Sequence, residues 1–174
     1  MTSAAAKRWN ASRPEDWTAL AKRDQVRSMS SDTPISGADY GRTLKGLGFN
    51  LIVSDVTRAV HFATQVLGAT LFFRTDVFAA MRLDGQDFMF HIPASYRGNE
   101  LHATLASDAP RGVGVELRCY HVDPDEAEAR AREHGYTVLA GSLDKPHGLR
   151  ECMLLDDDGY VWIPSRHLPI EQKT

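Results

Sequence analysis

Asn50-Leu-Ile-Val-Ser-Asp55, followed by Ala59, Ala63 and Val66-Leu67-Gly68, is the stretch on which the fold turns. Read back from Asp55, Leu47, Phe49, Leu51 and Val53 alternate with Gly48, Asn50, Ile52 and Ser54, the period of a strand with one buried face. Beyond Asp55, Val56, Ala59, Val60, Ala63, Val66 and Leu67 recur at helical spacing, and Gly68 stops the run as a C′ glycine does. Three short strands follow, at Thr70–Arg74, Val77–Leu83 and Asp87–Ile92, with Asp84-Gly85 as the hairpin between the last two. The order is βαβββ.

After a polar crossing loop from Ser95 to Gly112 the order repeats. Val115–Tyr120 alternates as a strand, Asp123–His134 carries Ala127 and Ala131 on one helical face, and Gly135 ends it. Val138–Ala140, Glu151–Leu155 and Tyr160–Ile163 supply three more strands, the last two split by Asp158-Gly159. Setting Asp55 on Asp123 sets Ala59 on Ala127 and Ala63 on Ala131 at one constant offset, which the helix-ending glycines miss by one residue. Internal duplication is the natural explanation, and a single α+β domain with a coincidental second run is the alternative. The expected fold class is therefore α+β, two tandem βαβββ modules (44–94 and 112–168) in a domain spanning 44–168, with a tail at 169–174.

Residues 1–43 have a different texture, polar and rich in Ser, Ala, Asp and Arg, and read as an N-terminal extension. Ser12-Arg13-Pro14-Glu15 has capping-box spacing for a short helix, and Ser28 to Gly41 is turn-like. Such an arm packs on the domain, covers a cavity, crosses to a second subunit or hangs free.

With 43% hydrophobic and 25% charged residues, the 174-residue chain has the composition of a globular protein with a core of its own. A net charge of -3 without any basic run gives no footprint for nucleic acid, and no segment approaches the ~20 apolar residues that span a bilayer. Cys119 and Cys152 stand in apolar runs without metal-ligand spacing, which suggests buried thiols in a reducing compartment, the cytoplasm by default. No GxSxG, P-loop, GxGxxG or HExxH is present, so serine hydrolysis, nucleotide binding and zincin chemistry lack support.

The Asn50–Asp55 strand with its Val66-Leu67-Gly68 helix end, taken with Asp156-Asp-Asp-Gly159-Tyr160, resembles the signatures of the vicinal oxygen chelate superfamily (glyoxalase, bleomycin-resistance protein, extradiol dioxygenase) over roughly 44–168. The resemblance implies modules that cup one cavity, homodimerisation, and a divalent metal held by a His on the first strand and a Glu on the last strand of each module. At the matching positions this chain has Gly48, Met89, Glu116 and Ile163, so the usual metal quartet is not expected.

Strand parity sends Gly48, Asn50, Ile52 and Ser54, and in the second module Glu116, Arg118 and Tyr120, toward the cavity, away from the helices. Met89 and His91 share the corresponding face of the last strand of module one, while Phe88, Phe90 and Trp162 fall on the core side. His91 and Glu116 have the chemistry for a displaced Fe, Mn, Ni or Zn site, with a third ligand needed from His147, Glu151 or His102. The alternatives are an ion pair of Glu116 with Arg118 and a strand-end His91 making one hydrogen bond. Arg118 offers a fork for a ligand carboxylate or phosphate, with a surface or intramolecular salt bridge as the alternative. The loop Lys145 to Glu151, with His147 and Gly148, is placed to line the cavity, and His61, His121, His134 and His167 read as surface residues.

Asn50, Met89, His91, Glu116, Arg118, Tyr120 and His147 are therefore the expected ligand-binding residues, and a small organic molecule the expected partner. Three functions compete: a binding protein without the metal quartet, a metal-dependent lyase, isomerase or dioxygenase using His91 and Glu116, and an oligomerising protein whose arm is the working part.

Overall fold

The structure, a computed structural model, describes residues 36–105 and 111–169. Among these, a first helix α1 (Gly37–Thr43) precedes β1 (Phe49–Ile52), α2 (Val56–Gln65), β2 (Thr70–Arg74), β3 (Phe78–Leu83) and β4 (Gln86–His91). A 3-10 turn (Pro93–Tyr96) and a one-turn helix α3 (His102–Leu105) then lead to β5 (Glu116–Tyr120), α4 (Pro124–Glu133), β6 (Thr137–Asp144), β7 (Leu149–Leu155) and β8 (Val161–His167). Each βαβββ run closes into its own four-stranded sheet, β1-β4-β3-β2 and β5-β8-β7-β6, with the first and last strands parallel and the rest antiparallel.

The duplication is visible in local chemistry. Asp55 caps α2 by accepting from Arg58 N–H, and Asp123 caps α4 by accepting from Asp125 and Glu126 N–H. Ala59 and Ala63, like Ala127 and Ala131, are buried where each helix lies on its sheet. The one-residue mismatch of the terminal glycines has a physical cause in how the helices close. Ala69 N–H reaches back to Ala63 O, whereas Tyr136 N–H reaches Ala131 O, so the closing turn of α2 holds one residue more. Gly68 (φ 75°) and Gly135 (φ 77°) both supply the left-handed residue these closures need.

One hydrophobic core runs through both modules. On the helix side Leu51, Val53, Met81, Phe88 and Phe90 from the first sheet join Cys119, Cys152, Leu154 and Trp162 from the second. Phe62 of α2 stacks edge-on with Tyr136 and tilts against Trp162, which in turn meets Phe88. Side chains of this size contribute about 1.5–3 kcal/mol each when fully buried. Both thiols are free and buried, with Cys119 pushed up to about 12 and Cys152 to about 11, chiefly by burial.

Several expectations are corrected. The turn-like segment ends in a helix, because Ser36 Oγ caps Asp39 N–H and Tyr40 has an apolar surface to dock on. Phe49 is 47% exposed and Leu47 precedes the strand, because α2 covers only the C-terminal half of β1. The expected loop from Lys145 to Glu151 contracts to a hairpin turn, with β6 and β7 extended on either side of it. Ser12-Arg13-Pro14-Glu15 and the tail beyond 169 lie outside the described residues.

Candidate functional site

Each sheet has a face opposite its helix, and register places the expected site residues there. In module one Asn50 pairs with Met89 and Ile52 with His91, and Met89 and His91 stand next to Ala80 and Phe78 of β3. Gly48, Asn50, Asp87 and Met89 form one wall of a cavity of about 550 Å³. The opposite wall is Leu44, Lys45 and Gly46, which continue the N-terminal arm from α1 toward β1. That segment is held in place by Tyr40, which is 7% exposed and lies against Phe72 with ring centroids 5.8 Å apart. The Arg82 guanidinium sits over the Phe72 ring at 4.5 Å and forks onto Asp87 through Nε (2.9 Å) and Nη2 (3.0 Å). Burial, with the Asp87 carboxylate adding to it, pushes the Tyr40 hydroxyl up to about 12.

His91 occupies a box beside the cavity, with Phe78 and Tyr96 rings at 4.8 and 5.2 Å. Ser95 Oγ donates to Ile92 O at 2.8 Å, so its oxygen is left to accept from His91 Nδ1–H at 3.1 Å. The proton is thereby held on Nδ1, and Nε2 carries a bare lone pair that is buried and has no partner among the described residues. Burial lowers the imidazole below its ordinary pKa, which favours this neutral form at pH 7. Asn50 Nδ2 points at Tyr96 Oη from 3.5 Å, linking cavity wall and box.

The second module's face is organised differently. Arg118 on β5 forms an ion pair with Glu151 on β7, and since β8 lies between them the pair crosses over Ile163 and Ser165, both 0% exposed. Glu116 stands 3.5 Å from the same guanidinium, and His147 Nε2 lies 3.4 Å from Glu151 Oε2. The Arg118 fork expected for a ligand is thus engaged by the chain's own carboxylate, and the ion-pair alternative for Glu116 holds. Tyr120, at the end of the same row, is half exposed.

The structure therefore assembles the expected residues into two groups, Asn50, Met89 and His91 on module one and Glu116, Arg118, Tyr120 and His147 on module two. Among the described residues, the side-chain hydrogen bonds, ion pairs and ring contacts between modules lie on the helix side, at the free edge of β1 or just after it. The cavity itself is built by module one and the arm alone. Sequence reasoning missed Leu44, Lys45 and Gly46 as a wall and Ser95 and Tyr96 as partners of His91; for the wall, a lone aromatic, Tyr40, in a polar segment is the signal that could have found it.

The divalent-metal quartet that the resemblance implies does not fit these residues. Gly48 offers no donor, Met89 only a thioether, Ile163 is apolar and fully buried, and Glu116 is paired with Arg118. Among the described residues no group of three His, Cys, Asp or Glu converges as a metal site, and His91 makes no contact with Glu116. No helix among them is long and apolar enough to cross a membrane.

Comparison with known proteins gives a consistent picture. The sequence profile of the Glyoxalase/Bleomycin resistance protein/Dioxygenase superfamily matches residues 47–163. No curated protein sequence matches. Among solved structures, a glyoxalase-related enzyme from Fulvimarina pelagi superposes with a TM-score of 0.59 at 16% identity, covering 71% of this chain and 89% of that one. A glyoxalase/bleomycin resistance protein/dioxygenase from Nocardioides covers 78% of this chain and 93% of its own at 20% identity (TM-score 0.56). A family enzyme from Burkholderia phytofirmans PsJN covers 70% and 97% at 20% identity (TM-score 0.59). At these identities the structural likeness speaks to fold.

Proposed function

The chain belongs to the glyoxalase/bleomycin resistance protein/dioxygenase superfamily, and from that premise we propose that it binds a small organic molecule without the family's metal quartet. The observation that carries this reading is the cavity of about 550 Å³ between the arm and the β1/β4 face. Its size is within the range of small-molecule sites, and it combines apolar Leu44 and Met89 with a few polar groups, the usual composition of such a site. It lies at the two module-one positions, Gly48 and Met89, where metal donors are missing.

In this reading Asn50 and Met89 contact the ligand directly, and His91 supplies a hydrogen-bond acceptor behind them. The Glu116, Arg118, Tyr120 and His147 group lies on the second module's own face, outside this cavity, with Arg118 held by Glu151. The test is occlusion. A Cβ at Gly48 meets nothing within 4 Å, so Gly48→Phe fills the cavity without a backbone clash. Compounds that raise the melting temperature of the wild type should lose that effect in the variant; hits that stabilise both proteins equally would place binding elsewhere.

A second reading, metal-dependent lyase, isomerase or dioxygenase chemistry at a displaced His91 and Glu116 pair, is favoured by one observation, the bare Nε2 lone pair of His91. Elemental analysis of protein purified without chelator separates the two. A near-stoichiometric transition metal that is lost in both His91→Ala and Glu116→Gln overturns the metal-free reading.

A further inference from the structure

We propose that the cavity selects organic anions, and that the selecting charge is Lys45, delivered by the N-terminal arm. The inference rests on the cavity reading above and assigns its ligand class.

Two ionisable side chains line the cavity, Lys45 and Asp87. Asp87 is already neutralised, since both its oxygens accept from Arg82. Lys45 has no ion-pair partner among the described residues, so the cavity carries one uncompensated positive charge. Around it stand the Asn50 amide, whose contact with Tyr96 is long at 3.5 Å, and Gly46 and Gly48, whose missing side chains leave the backbone open to a ligand. The rest of the lining is apolar, Leu44 and Met89. A carboxylate or sulfonate against Lys45 and Asn50, with an apolar body over Met89, matches each of these groups.

The arm is fixed well enough to do this. Tyr40 is buried against Phe72, and the Phe72–Arg82–Asp87 stack ties that contact to the cavity wall. Lys45 follows α1 by two residues, so its position depends on the docking of Tyr40.

The experiment uses the full chain and two probes that share an aromatic body, 1-anilinonaphthalene-8-sulfonate and the uncharged N-phenyl-1-naphthylamine, titrated by fluorescence. Lys45→Gln should weaken the sulfonate about fivefold at low salt, the size of a partly exposed charge pair, and change the neutral probe less than twofold. Tyr40→Ala should reproduce that selective loss, and Gly48→Phe should abolish both probes. An unchanged ratio of the two affinities in Lys45→Gln overturns the anion assignment while Gly48→Phe sensitivity upholds the cavity. Binding of neither probe, or binding that ignores Gly48→Phe, overturns the cavity reading itself.

Discussion

Removing a single oxygen atom, in Tyr160→Phe, tests whether the two modules fold as one unit. Tyr160 begins β8's approach in module two, yet its hydroxyl donates to Ile52 O at 3.0 Å and accepts from Ile52 N–H at 3.1 Å. Ile52 is on β1, the edge of the first sheet, and its peptide groups face away from β4. Both hydrogen bonds are buried, and Tyr160 is 8% exposed. Two such bonds contribute about 1 kcal/mol each, and leaving buried N–H and C=O groups unpaired adds about 1–3 kcal/mol where water does not reach them. The expected loss is about 2–4 kcal/mol, which at a urea m-value of about 2 kcal/mol/M lowers the midpoint by about 1–2 M. Tyr136→Phe makes the same chemical change at an exposed bond to His61 and should shift the midpoint by less than about 0.5 M. Equal shifts in the two variants, or two separate unfolding transitions in the wild type, would refute the argument that this hydroxyl ties the modules together.

Further substitutions probe other elements. A Cβ at Gly112 (φ 71°) meets Gly159 O at 2.3 Å and Tyr160 Cα at 2.7 Å, all backbone, so Gly112→Ala should cost about 3 kcal/mol or more in a denaturation curve while Gly48→Ala stays within about 0.5. Asp156 accepts from Asp158 N–H, Tyr160 N–H and Trp162 Nε1–H, so Asp156→Ala should lose about 3 kcal/mol, read as a fall in melting temperature. His91 is held below its ordinary pKa by burial, so between that lowered value and ~6.5 the unfolded chain binds more protons. Its contribution is full above pH ~6.5 and declines as pH falls from there toward the folded value. Urea midpoints at pH 7.5, 6.5 and 5.5 should therefore converge between wild type and His91→Gln as pH drops; parallel curves would contradict the assigned neutral state.

The fold was legible because its signals are local and repeated. An aspartate cap, buried alanines one turn apart and a closing glycine occur twice, and each has one physical job that few other residues do as well. Strand parity likewise put Asn50 on the face away from the helix, Met89 and His91 together on one face of their strand, and Trp162 in the core, while the pairing of Asn50 with Met89 came from the strand register. What the sequence did not disclose depends on contacts between segments far apart in it. Lys45 is part of the site only because Tyr40 finds Phe72, and the Nδ1 proton of His91 is fixed only by where Ser95 sends its own. For Arg118 the sequence left a ligand fork and an internal salt bridge both open, and only the pairing of β7 with β8 brings Glu151 across to it.

The same comparison explains why the cavity lies on one module when the chain carries two copies of the unit. By the shared offset, Gly48 corresponds to Glu116 and Asn50 to Arg118. By the hairpin glycines, Met89 corresponds to Ile163 and His91 to Ser165. In module two all four positions are occupied by a closed arrangement: an ion pair spans the sheet, and Ile163 and Ser165 beneath it are fully buried. In module one the first position has no side chain and the second is a short, exposed amide, so nothing reaches across β4 and the face stays open. The arm borders this open face, with Tyr40 docked at its Phe72 and Arg82 end and Leu44 to Gly46 lining the cavity together with Gly48. Filling position 48 should therefore close module one as module two is closed, and a Gly48→Glu, Asn50→Arg double variant that still bound organic anions would contradict this account of where the cavity comes from.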